Sequence, residues 1–225
     1  MSSIPTLERN DPCHCGSNKK YKKCCANSFI VSYSPLTKTE TKETYPDLSN
    51  EDFTMLTNLH AHIESHPEEL SSLECNYIKQ IYALQDKNPQ NPTIATYLVD
   101  AYAKLNLEDK MYEIIRKNYE KFPLYLPAMT AEFLACLNKN DIERAHSILG
   151  SYSQIKELYP YRTTFHVSEV SLFTHAKVQY ACKIDDLQEA VAHLNTLKIL
   201  HKEGQDPLYI DAQNAVTLLK ARLHK

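Results

Sequence analysis

Four of the seven cysteines stand between residues 13 and 25, as Cys13-His14-Cys15 and Cys24-Cys25. A run this short has no core of its own, so its order must come from a ligand that its side chains share. Two thiolates from each pair can close a tetrahedral shell, the arrangement structural zinc takes when protein fills every coordination position. Gly16-Ser17-Asn18 supplies the turn between the pairs, because Gly and Asn tolerate positive φ and Ser17 can cap the next turn of chain. Lys19, Lys20, Tyr21, Lys22 and Lys23 then suit one helical turn that returns Cys24 and Cys25 to the ion. The expectation is one Zn2+ per chain, held by Cys13, Cys15, Cys24 and Cys25. His14 adds a nearby nitrogen able to compete with Cys25.

The run Arg9-Asn10-Asp11-Pro12, Cys13, Cys15-Gly16-Ser17, Lys19 or Lys20, Tyr21-Lys22, Cys24 and Cys25 resembles the SEC-C motif, the zinc-binding segment of the SecA tail. His14 stands where that family usually has Pro, and Asn18 where it often has Gly; neither change removes a ligand. The resemblance implies zinc binding and a docking role, with an export chaperone or a ribosomal component as partner. It covers about residues 9 to 25, and the chain carries no translocase sequence beside it. A purely structural zinc staple is the plainer reading of the same residues.

Charge is unevenly spread. Residues 1 to 25 carry five basic and two acidic side chains, a net +3, whereas the rest carries 20 basic and 26 acidic, a net −6. Four thiolates around one divalent cation leave a charge of −2, so much of the lysine charge answers the cluster itself. Nucleic-acid or ribosomal-RNA binding through Lys19, Lys20, Lys22 and Lys23 therefore comes second to protein binding. The N-terminus lacks a signal-peptide core, and no apolar run is long enough to span a bilayer. The odd cysteine count fits a reducing compartment, so the expected location is cytoplasmic, with signal-independent export left open.

Residues 27 to 49 are crowded with Ser and Thr, show no helical period and read as a linker. From residue 50 to 225 the pattern is all-α. With only three glycines in 225 residues, hairpin turns have little to work with, and Leu, Ala, Glu, Lys and Tyr dominate. Ser49 to Asp52 has the form of a capping box, and apolar residues recur at helical spacing to residue 65. Helices are expected over 67–87, from Pro92, over 111–122, 126–137 and 142–149, then near 165–182, 186–202 and 207–224. Turns recur at Asn106, at Asn138 to Asp141 and at Cys182 to Asp186, with an insertion around 151–164. Leu105 and Leu137 are 32 residues apart, and the body resembles a degenerate tetratricopeptide-like array without that family's Trp and Leu-Gly pair. Stacked hairpins would line a concave surface with Tyr97, Asp100, Lys104, Tyr125, Glu132 and Lys177, of which Tyr97 and Tyr125 are the aromatic candidates for holding a partner.

No phosphate loop, nucleophile elbow or His-Glu-x-x-His occurs, so an enzyme is disfavoured. His62 and His66 lie one helical turn apart, but no acidic or cysteine partner stands at a matching spacing, and His60, His62 and His66 read as surface residues. The reading is a zinc knuckle on a helical platform, an adaptor at the ribosome or the export pathway.

Overall fold

The computed structural model describes residues 20, 45–66, 76–162, 165–201 and 206–224. The fold is all-α. Ten α-helices run through the described residues: α1 Asn50–Ser65, α2 Asn76–Lys87, α3 Ile94–Lys104, α4 Glu108–Lys121, α5 Leu126–Asn138, α6 Ile142–Ala145, α7 Ile155–Leu158, α8 Val167–Lys183, α9 Leu187–Leu200 and α10 Pro207–Leu223. The first half of the helix expected over 67–87 lies outside the described residues.

Helix starts follow their capping chemistry. Ser49 accepts the Asp52 amide on its side chain, Asp141 that of Arg144, Asp186 that of Glu189, and Asp206 those of Leu208 and Tyr209 ahead of Pro207. Helix ends repeat one device. Asn106, Asn140 and Asp185 all sit at positive φ, at 56°, 61° and 62°. In each case the next residue's amide reaches five residues back, from Leu107 to Tyr102, Asp141 to Cys136 and Asp186 to Ala181. A left-handed residue closing a helix in this way lets the chain reverse at once into the next helix. Asn106 and Asn140 are 34 residues apart.

That geometry carries a stability prediction. Asn140→Gly is expected to hold or raise the thermal midpoint, whereas Asn140→Val should destabilise by about 1–2 kcal/mol, because a β-branched side chain clashes in the left-handed region. Denaturant unfolding of both variants checks this; equal loss in both would show that the Asn side chain, and not its backbone, holds the turn.

Two compact units divide the body, one within Thr41–Ala135 and the other within Cys136–Lys225. The array expected over residues 50–225 spans both units. Each unit closes its own core. In the first, Leu56, Ile63, Ile78, Ile81, Leu98 and Tyr102 interlock from α1, α2 and α3. In the second, Val178, Ala181, Leu194, Leu197, Val216 and Leu219 join α8, α9 and α10. Burial of such side chains contributes about 1.5–3 kcal/mol each before ordering costs, which is why a separate cluster makes a separate unit.

The end of the expected linker belongs to the first unit. Tyr45 packs edge-on to Phe122 and Tyr125 at 5.3 and 5.5 Å, Asn91 donates to the Pro46 carbonyl at 2.8 Å, and Leu48 joins the core. Tyr45 to Ser49 carries enough apolar surface to pack, which Ser/Thr counting over 27–49 obscures.

The insertion is held by Arg162. Its guanidinium grips Glu169 through two bonds of 2.9 and 2.7 Å and lies over the rings of Tyr159 and Phe165. Glu169 also accepts the His166 amide, completing the N-terminal box of α8.

Candidate functional site

Cys13, Cys15, Cys24 and Cys25, with Lys19, Tyr21, Lys22 and Lys23, lie outside the described residues. Lys20 is described and is exposed. The donor set still fits zinc on its chemistry: four thiolates satisfy a closed tetrahedral shell without help from the helical body.

In the first unit, the side chains expected to line a groove fall into different roles. Tyr125 is half-buried; its hydroxyl meets Thr93 Oγ1 at 3.2 Å, and burial raises its pKa. It works as a packing residue between α3 and the Tyr45 segment. Tyr97 stands edge-on to His60 with ring centroids 5.2 Å apart. Glu132 and Lys177 do not line an open face: their exposures are 3% and 2%. Helical periodicity places them on a face without showing that the face is covered, which corrects the expectation.

Asp100 and Lys104 instead join a charged cluster with α1. Lys104 Nζ donates to Asp100 at 2.7 Å and also to Glu64, and His60 adds Nε2 at 3.8 Å from Glu64 and Nδ1 at 3.9 Å from Asp100. The Lys104 hydrogen bond holds Glu64 below the usual carboxylate range. Partial desolvation pulls Lys104 down, but the bonds from Asp100 and Glu64 outweigh it and leave the ammonium above its ordinary value. Pairing His62 with His66 directs attention away from this cluster. Glu64 follows His60 by one helical turn, a spacing legible in the sequence. Asp100 comes from another helix, and no spacing reveals it in this role.

A groove of about 330 Å³ opens between α2 and α4, with Tyr82, Lys110, Glu113, Lys117, Lys121 and Phe122 among its lining. Two of its cations are already engaged: Lys117 and Lys110 meet Glu113 at 2.8 and 3.4 Å.

In the second unit, Lys177 is the buried charge. Its ammonium donates to the Gly150 carbonyl at 2.9 Å, lies 3.4 Å from Glu189 and faces the Tyr180 ring at 5.2 Å. Gly150 ends a π-helical turn, His146–Gly150, that continues α6. A Cβ at Gly150 would stand 2.9 Å from both His146 Nδ1 and the Tyr180 ring, so only glycine lets the turn approach this closely. The network is a polar staple in which Lys177 answers the carbonyl end of the turn.

One constellation has the spacing of a serine triad. His201 Nε2 is 2.7 Å from Ser171 Oγ, and its Nδ1 is 3.4 Å from Asp206. Ser171 donates its only hydroxyl proton to the Val167 carbonyl at 2.8 Å and is 1% exposed. His201 must therefore donate to the serine oxygen, the reverse of a general base. These residues pin the start of α10 to α8.

Comparison with known proteins places a SEC-C motif at residues 9–27. An uncharacterized protein, YccF, of Bacillus subtilis is 43% identical over 49 residues, 22% of this chain and 14% of that protein. The protein translocase subunit SecA of Maridesulfovibrio salexigens is 74% identical over 23 residues, 10% of this chain and 3% of SecA. The chain thus spans only a small part of these relatives' lengths. No solved structure matches it. Among the described residues, no helix is long and apolar enough to cross a membrane.

Proposed function

We propose that this chain is a zinc-dependent adaptor that joins its SEC-C motif to a protein partner and presents a tetratricopeptide-like helical body as the platform. The observation that carries this reading is the 74% identity to a SecA segment, with four thiolates at zinc spacing in the motif. Cys13, Cys15, Cys24 and Cys25 hold the ion, and Lys19 to Lys23 form the contact surface beside it. A motif shared so closely with a translocase subunit, on a body of repeated helical hairpins, suits a component of the export pathway or the ribosome as partner. The setting is cytoplasmic.

The test is capture from cell extract by the full chain and by a chain lacking residues 1–26, with the bound proteins identified by mass spectrometry. A partner set that vanishes with residues 1–26 is the expected result. The same set retained by the truncated chain would overturn the role of the motif. If the captured material is ribosomal, a salt titration separates the two chemistries: phosphate contacts weaken steeply with salt, about one power of concentration per neutralised phosphate, whereas an apolar protein contact does not.

A further inference from the structure

We infer that His60, Glu64 and Asp100 form a second metal site, for a divalent transition ion of the zinc, cobalt and nickel class, and that Lys104 closes it in the absence of metal. One ligand atom from each residue lies within 4.8 Å of the other two. A tetrahedral ion with ligand bonds near 2.1 Å separates its donors by about 3.4 Å. His60 can give such an ion one nitrogen only; with Nδ1 as that donor, the 3.9 Å pair with Asp100 contracts by a few tenths of an ångström, and the exposed Glu64 carboxylate, 3.8 Å from the opposite ring nitrogen, swings in to take a third position. His60 and Glu64 are one turn apart on α1, and Asp100 reaches them from α3 in the same unit, so two packed helices hold the donors.

Two further observations point to a cation. The Lys104 ammonium already stands where both carboxylates converge, bonded to each. The fold therefore places a positive charge at that point, and a long, flexible side chain supplies it. In addition, His60 Nδ1 is shielded from water without a hydrogen-bond partner. A buried ring nitrogen without a partner is costly, and coordination satisfies it.

The donor set selects the ion class. One imidazole and two carboxylates suit zinc, cobalt or nickel, whereas calcium and magnesium require a fuller oxygen shell. Three protein donors leave at least one position open to water or to a ligand group from a partner. Metal entry releases the Lys104 ammonium to solvent, still charged, so this face changes from net negative to net positive. The site is independent of the cysteine motif and of the adaptor reading.

The probe is Co2+, added to the dialysed full chain and read by visible absorption. Uptake at this site gives weak d–d bands only. Exchange into the cysteine motif gives the intense sulfur-to-metal charge-transfer band, so the two sites are told apart in one spectrum. His60→Ala should weaken the d–d titration by about tenfold or more, and Lys104→Met should tighten it by a similar factor through loss of the competing ammonium. Misfolding does not imitate a tightening. Absence of the d–d signal in the native chain, or failure of either variant to move the curve, would overturn the site. Binding that is lost instead on His62→Ala would assign the ion to the exposed His62 and His66 pair, whose rings stack at 4.6 Å, and would overturn it equally.

Discussion

Cys24→Ser is expected to release the zinc proposed for the cysteine motif while leaving the far-ultraviolet helical signal intact. A structural zinc site contributes about 10–16 kcal/mol of apparent binding energy at neutral pH, and most of it depends on a complete thiolate shell. The described helices from Asn50 onward draw on two apolar clusters whose described members all come from Leu48 and beyond, which is the ground for expecting their helicity to survive loss of the motif's ion. Elemental analysis and circular dichroism on the same sample make the measurement. Zinc retained at one per chain by Cys24→Ser in a His60→Ala background would mean that another donor fills the fourth position. His14 is the nearest candidate, and the double variant with His14→Ala would then release the ion. Helicity that collapses on zinc loss would show the motif and the body to be one folding unit.

The second large effect is expected at Lys177. Lys177→Met should lower stability by about 2–3 kcal/mol, below the full range for breaking a buried pair because Glu189 keeps 35% of its side chain exposed. The substitution keeps the length of the stem but leaves the Gly150 carbonyl at the end of the π-helical turn without its donor. Equilibrium unfolding reads the change, and a loss under about 0.5 kcal/mol would mean that water replaces the ammonium at little cost.

Acid adds a second readout. Glu189 is lowered from 4.5 to about 2, first by its hydrogen bond with His193 and, against the opposing cost of burial, by the Lys177 charge. A carboxylate whose folded pKa is depressed contributes stability that is present above its unfolded value and is lost as pH falls through the folded one. The native chain should therefore lose this contribution between about pH 4.5 and pH 2. The Lys177→Met variant should lose less of it in that window, since only His193 then holds the carboxylate down.

The sequence is most legible where one local rule acts alone. Asp141, Asp186 and Asp206 announce helix starts, and Asn106 and Asn140 announce helix ends. Each is a contest among neighbouring groups within a turn, which the chain wins or loses locally. The cysteine spacing is legible for the same reason: two close pairs and a turn define a donor set before any packing occurs. Burial is harder to read. Glu132 and Lys177 lie on helical faces that periodicity assigns to solvent, yet neighbouring elements cover both.

What the sequence determined by itself was the all-α class, the register and ends of most helices, and the cysteine motif at residues 9–27. These come from short-range hydrogen bonding, apolar period and ligand type, all of which act along the chain. The tertiary structure alone decided that the body divides into two units, that Tyr45 to Ser49 packs with the first, that Lys177 is a buried staple, and that Asp100 and Lys104 meet His60 and Glu64. Those outcomes depend on which helix faces which, a choice made by the competition among apolar surfaces for burial, and no spacing along one helix encodes it.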